Sequence, residues 1–270
     1  MRMSADEQSG TTNKAYVRSL ERGLVTIRAL GEFPDGATLS EVSAKVDLDR
    51  ATTRRLLLTL VDMGYVRQDK KQFVLAPRVL ELGFSYFSSM PVWEAAQPFL
   101  DSYCETTLGT ISIGVLDNAE VIYVARAQSR RSVYAINVTV GSRFPCYSTS
   151  MGRVLLSGLP NEQIAEVLGS IELKARTPNT TVSLGDLMAS IENVRDLGYA
   201  ISNEETEIGI RSIAVPLRNR KGDIAAALNT SFQVSYATTA ELVETYLPQL
   251  RDVAAKIEAL NMLPSRKTGN

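Results

Sequence analysis

Arg50, Thr52, Arg54 and Arg55 crowd the start of a single segment, Asp49-Arg50 followed by ATTRRLLLTLVDMGYV. A guanidinium is a planar fork of donors that matches the two acceptors on the major-groove edge of guanine. A threonine hydroxyl reaches a base edge or a phosphate oxygen. Lys70 and Lys71 follow, at the tip of a short hairpin where ammonium groups would meet a phosphate backbone. Ser19, Arg22 and Thr38 complete the set of side chains placed to touch a polyanion. The chemistry is that of binding double-stranded DNA. The competing reading is an amphipathic helix whose arginines simply face water.

The elements around these residues favour the first reading. SLERGLVTIRALGEF carries Leu20, Leu24, Ile27 and Leu30 at helical spacing, with Ser19 as its cap and Pro34-Asp35-Gly36 as its stop. Thr38 with Glu41 three residues on is a capping box for a second helix, whose apolar face is Leu39, Val42 and Val46. Asp47 and Leu48 make a turn. Asp49 caps a third helix from Arg50 to about Met63, with Leu56, Leu57, Leu60 and Met63 as its core stripe, joined by Thr53. Gly64 ends it. Residues 65–67 and 72–75 read as two strands about Asp69, Lys70 and Lys71. Cap, helix, glycine stop and basic hairpin in this order spell a winged helix-turn-helix.

Charge is divided in the same way. Between Lys14 and Arg78 there are 12 Lys/Arg against 8 Asp/Glu, and from Val79 onward 16 against 20, within a net charge of −1. A basic small unit beside an acidic larger one suggests that only the first meets nucleic acid. The chain has two cysteines and no histidine. That removes Ser–His and Cys–His dyads and imidazole metal ligands, and makes a structural zinc site and a disulfide framework implausible. No cofactor is expected. No apolar run approaches the roughly 20 residues of a membrane helix, so no membrane partner is expected and a cytoplasmic location fits. Residues 1–13 read as a disordered tail, 14–76 as the DNA-binding domain, 77–91 as a linker helix, 92–263 as a second domain and 264–270 as a tail.

In the linker, Leu80, Phe84 and Phe87 share one side of a helix that Pro91 breaks; a small winged domain has little room for them, so a partner chain or the second domain should cover them. An amphipathic helix with Trp93, Ala96, Leu100 and Tyr103 follows. The pattern then switches to period two. Residues 110–116 and 120–126 form a hairpin about Asp117-Asn118, and 134–140, 199–203, 210–217 and 224–232 read as further strands. Helices are expected over 152–159, 186–197 and 239–260. The mixture gives an α+β domain with a largely antiparallel sheet.

SLERGL, ATTRRLLLTLVDMGYV, STSMGRVLL, DLGYAISNEE with GIRSIAVP, and AALNTSF together resemble the isocitrate-lyase-regulator (IclR) family of bacterial transcription factors over nearly the whole chain. TVGSRFPCYSTSMGRVLLSGLP and YVARAQSRR are most similar to its branch regulating aromatic-acid and β-ketoadipate catabolism, the Pca/Pob type. The resemblance implies a GAF-like effector-binding domain. It also implies homodimers formed through the DNA-binding and linker region, often paired into homotetramers. The effector would be a small carboxylic acid, held between the sheet and the loop before the SMGRVLL helix. Carried over, that site comprises Ser150, Met151, Gly152, Ser202, Asn203, Ser212, Asn229 and Ser231. Asn229 stands where the family often has a small hydroxyl residue. Arg126, Arg130 and Arg131 read either as solvated strand-end charges or as partners for a second carboxylate.

Two other readings stand beside a ligand-responsive regulator. In one, the second domain is an enzyme, with Cys146 activated by Arg143 and with Glu204 and Glu205 as acid and base. In the other, the protein binds DNA without any ligand.

Overall fold

The computed structural model describes residues 16–129 and 138–265, in two compact units that divide between Ser88 and Ser89. The N-terminal unit runs α1 (Arg18–Leu30), β1 (Ala37–Thr38), α2 (Leu39–Val46), α3 (Arg50–Asp62), β2 (Val66–Asp69) and β3 (Gln72–Leu75). A 3-10 turn at Pro77–Val79 then leads into α4 (Leu80–Ser89). Its small sheet has the order β1-β3-β2, antiparallel throughout. Leu30, Val42, Leu57, Leu60, Val66 and Phe73 form the core, and Thr53 is buried with its hydroxyl donated to the Asp49 carbonyl.

Two caps are as the sequence requires. Thr38 and Glu41 close a complete capping box, and the Asp49 carboxylate accepts the Thr52 N–H at 2.9 Å. Asp47 turns the chain from α2 to α3 in the left-handed region at φ 50°. Three details differ. α1 begins at Arg18 with Val17 at its cap position and no side-chain bond there, so Ser19 lies inside the first turn rather than capping it. Met63 is exposed and Leu56 half-buried, because α3 meets the rest of the unit along a narrower line than its apolar residues cover. Leu20 and Leu24 are exposed for the same reason on α1.

The C-terminal unit runs α5 (Val92–Thr106), β4 (Thr110–Asp117), β5 (Glu120–Gln128), β6 (Arg143–Pro145), α6 (Ser150–Ser157), α7 (Asn161–Gly169), α8 (Leu184–Leu197), β7 (Ala200–Asn203), β8 (Ile210–Arg218) and β9 (Ile224–Gln233). A last helical stretch follows as α9 (Thr239–Glu241), a π turn at Leu242–Tyr246 and α10 (Leu247–Ala259). The six strands form one sheet, β6-β5-β4-β9-β8-β7, with every neighbour antiparallel. Helices α5 and α10 pack on it and bring Trp93, Leu100, Leu250 and Ile257 into the core. On the face that meets α6, Met151, Val154 and Leu155 join Val121, Ile191 and Ala227 in a second cluster.

The strand expected over 134–140 falls partly on 134–137, outside the described residues; 138–140 carry no strand. β6 and α7 were not anticipated. The first has three residues and the second buries only Ile164 and Leu168, so neither offers enough periodic residues to register as a pattern.

Candidate nucleic-acid interface and effector site

α3 has 13 residues, so it is about 20 Å long at 1.5 Å per residue, enough to lie along a major groove. Burial of Thr53, Leu57 and Leu60 fixes its rotation and leaves Arg50, Arg54 and Arg55 exposed, with Thr52 half-buried. Among the described residues none of these three guanidinium groups has an ion-pair or hydrogen-bond partner. Ser19 and Arg22 of α1 border the same groove as Thr52 and Arg55, so the two sets adjoin. Lys70, at φ 53°, and Lys71 occupy the exposed β2–β3 turn. Thr38 is different: its hydroxyl and its N–H are both engaged with Glu41.

The groove between α1, α3 and α4 is largely apolar. About 680 Å³ in volume, it is lined by Leu20, Leu24, Ile27, Leu56, Leu60, Met63, Tyr65 and Leu82 among others. Leu80 and Phe84 of α4 are each 71% exposed.

In the C-terminal unit, cross-strand register builds two rows on one face of the sheet. Ser202, Ser212, Ser231, Thr110 and Gln128 pair in sequence, and so do Ala200, Ala214, Asn229, Ser112 and Arg126. Directly opposed residues point the same way, so this is a continuous polar patch. The N-terminus of α6 lies on it. Ser150 Oγ is 2.8 Å from Ser212 Oγ, and Ser202 Oγ donates to the Ser148 carbonyl at 3.0 Å. Thr149 caps α6 by accepting the Gly152 N–H. Gly152 is required by close approach: a Cβ there would stand 2.0 Å from the Cys146 carbonyl oxygen. Met151 is fully buried, packed where Gly114 leaves room for its sulfur.

Asn229 is 4% exposed; its amide nitrogen donates to Ser231 Oγ at 3.2 Å, and its carbonyl oxygen has no donor among the described residues. Arg126 is half-buried on the same face, its one side-chain hydrogen bond among the described residues being to Gln128 Oε1 at 3.4 Å, and burial lowers its pKa. A buried helix N-terminus, an amide oxygen with no donor and a half-buried guanidinium with no carboxylate partner among the described residues share one face, an arrangement suited to a small anion.

Asn203 does not belong to this arrangement. It is exposed, and its carbonyl oxygen accepts from Arg211 Nε at 2.7 Å. Adjacent residues of a strand face opposite ways, so Ser202 and Asn203 cannot both point inward. Thr110, Ser112 and Gln128 were missed. The alternation of Thr110 and Ser112 with Ile111 and Ile113 was the available signal. Arg130 and Arg131 lie outside the described residues.

The sequence-based activation of Cys146 by Arg143 is overturned. Arg143 is paired with Asp117 at 2.5 Å and Glu120 at 2.7 Å, and burial pushes the Cys146 thiol up to about 12. A buried neutral thiol is a poor nucleophile.

Residues 19–70 match the IclR helix-turn-helix domain, and residues 84–259 match the bacterial transcriptional regulator IclR C-terminal domain. The chain belongs to the IclR family. It is an IclR-type transcriptional regulator with a helix-turn-helix domain and an antiparallel α+β effector-binding domain. It is 37% identical over 243 residues to the Pca regulon regulatory protein of Pseudomonas putida, covering 90% of this chain and 84% of that one, which supports the Pca/Pob branch. A solved transcriptional regulator from Rhodococcus sp. RHA1 superposes with a TM-score of 0.79 at 41% identity, covering 92% of this chain and 98% of the other. The inducer-binding domain of the PobR transcription factor from Acinetobacter, solved as a double mutant with 3-hydroxybenzoic acid, aligns with a TM-score of 0.59 at 36% identity. It covers 62% of this chain and 98% of that one. No helix among the described residues is long and apolar enough to cross a membrane.

Proposed function

We propose that this IclR regulator senses a small aromatic or β-ketoadipate-type carboxylic acid on the polar face beneath α6 and controls the genes of its catabolism. One observation carries the reading: the buried Asn229 carbonyl oxygen lacks a donor among the described residues, beside Ser231 and Ser212, where the N-terminus of α6 meets the sheet. A buried acceptor left unpaired costs about 1–3 kcal/mol, and an effector hydroxyl would remove that cost. The Arg126 guanidinium supplies a countercharge for the carboxylate. The 3-hydroxybenzoic acid complex of the PobR domain agrees with an acid carrying a hydroxyl.

DNA contact is assigned to Arg50, Thr52, Arg54 and Arg55 in the major groove, with Ser19, Arg22, Lys70 and Lys71 on the backbone. Leu20, Leu24, Leu80 and Phe84 are assigned to a second copy of the chain, giving a homodimer and, by pairing of dimers, a homotetramer. The protein is read as cytoplasmic and non-catalytic. Effector binding would shift the assembly between arrangements with different affinity for the operator, which demands different effector affinity in the two.

Thermal melting against protocatechuate, hydroxybenzoate and β-ketoadipate tests the reading. A true effector at 100 times its Kd adds about 2.7 kcal/mol to stability. Dose-dependent stabilisation lost in Ser231→Leu is expected; an unchanged melting curve with all three acids would refute the assignment.

A further inference from the structure

Arg153 lies one helical turn after Ser150 on α6, and its side chain is 6% exposed against 9% for that of Glu205. Nη1 donates to Glu205 Oε1 at 2.8 Å and to the Ile201 carbonyl at 3.1 Å, and Nη2 donates to Glu205 Oε2. The Nε–H has no acceptor among the described residues. Glu205 is itself held. Its carbonyl accepts from Thr180 Oγ1 at 2.6 Å, and its carboxylate accepts the Thr181 N–H. The next residue, Thr206, donates its hydroxyl at 2.6 Å to the Ser148 carbonyl, the same oxygen that Ser202 uses. Glu204 sits in the left-handed region at φ 59° and accepts the Gly209 N–H at 2.9 Å.

A buried ion pair is a poor way to gain stability, since both charges lose water; an apolar pair of similar volume often does as well or better. An orphan Nε–H makes this pair worse still. What a bidentate guanidinium–carboxylate contact adds is direction. Here the direction it fixes is that of the 204–209 turn relative to the 146–150 loop and the N-terminus of α6.

We propose that Arg153 and Glu205 are positioning residues for the effector site. They touch no effector; they hold the loop before α6 and the β7–β8 turn in register with the polar face. The proposal rests on the effector-site reading above.

The test compares the native protein with Arg153→Met/Glu205→Leu, Glu205→Gln and Arg153→Lys. It reads melting temperature, affinity for protocatechuate and hydroxybenzoate by calorimetry, and amide hydrogen exchange. The double apolar variant should melt near the native temperature yet bind the acid at least tenfold more weakly, with faster exchange confined to 148–152 and 204–209. Arg153→Lys, whose ammonium cannot span both carboxylate oxygens, should fail to restore affinity. Native affinity with native exchange in the double variant would overturn the proposal. If that variant does not fold, native affinity and exchange in Glu205→Gln would overturn it instead. Absence of acid binding by the native protein would defeat the effector reading, and the exchange measurement would still decide whether the pair holds the loops.

Discussion

Individual side chains separate into those that read and those that hold. Arg54, exposed and without a partner among the described residues near the start of α3, is proposed to pair with a base, and Lys70, on the wing turn, to meet phosphates. Arg54→Ala should cost about 1–3 kcal/mol on the operator and relax preference at one position. Lys70→Ala should weaken all duplexes alike and lower the salt slope by about 1. Titrating operator and random DNA against both variants at several salt concentrations distinguishes them, and equal losses on both DNAs for both variants would contradict the division. In the second unit, Asn229→Leu removes the unpaired acceptor. The protein should hold or gain stability while losing hydroxybenzoate affinity about tenfold, as when a site built for a hydroxyl loses its partner. Calorimetry and melting on the same sample check both halves. The effector-site residues were carried over from the family resemblance, and strand alternation sorts them. Ser202, Ser212, Asn229 and Ser231 do share a face; Asn203 was included against that alternation and lies outside. Arg153 and Glu205 could not be paired from sequence, because 52 residues separate them and only the folded α6 brings them together.

Elements are governed by their ends and by close approaches. Asp49 caps the start of α3, and Asp49→Ala should destabilise the unit, read as a lower midpoint in urea. Its carboxyl is held below the usual range by the Thr52 hydroxyl and then by the Thr52 N–H, and Glu41 likewise by the N–H and hydroxyl of Thr38. A folded pKa below the unfolded one means that the stabilisation is present above the unfolded pKa and fades as pH falls through the folded value. The N-terminal unit should therefore soften in acid. Gly152→Ala drives a methyl into the Cys146 backbone and should cost about 3 kcal/mol or more, measurable by the same unfolding curve. The helix-turn-helix was legible because its signals are local: a cap, a period, a glycine stop. The three-residue β6 and the sparsely apolar α7 have no such signals, and sheet pairing holds the first in place.

At the scale of the whole molecule, the apolar surface on α1 and α4 is the chief unresolved demand of the fold. Leu24→Glu with Phe84→Glu should convert the assembly to monomers by analytical ultracentrifugation and reduce operator affinity, with melting of the C-terminal unit unchanged. A dimer of native affinity in that variant would show that the surface has another use. The sequence marked Leu80, Phe84 and Phe87 as surplus to a small winged domain but not Leu20 and Leu24, whose exposure borders the groove between α1, α3 and α4.

Burial of the two cysteines has an effect on what the cell can communicate to this protein. Their thiols are raised to about 11 and about 12, and the chain has no histidine. No side chain of a type that ordinarily changes charge between about pH 5.5 and 7.5 is therefore available to do so. Carboxylic acids are themselves largely ionised over that interval. Across that interval a regulator composed in this way should measure how much acid is present rather than how acidic the medium has become, and its buried thiols are poor targets for mild oxidants.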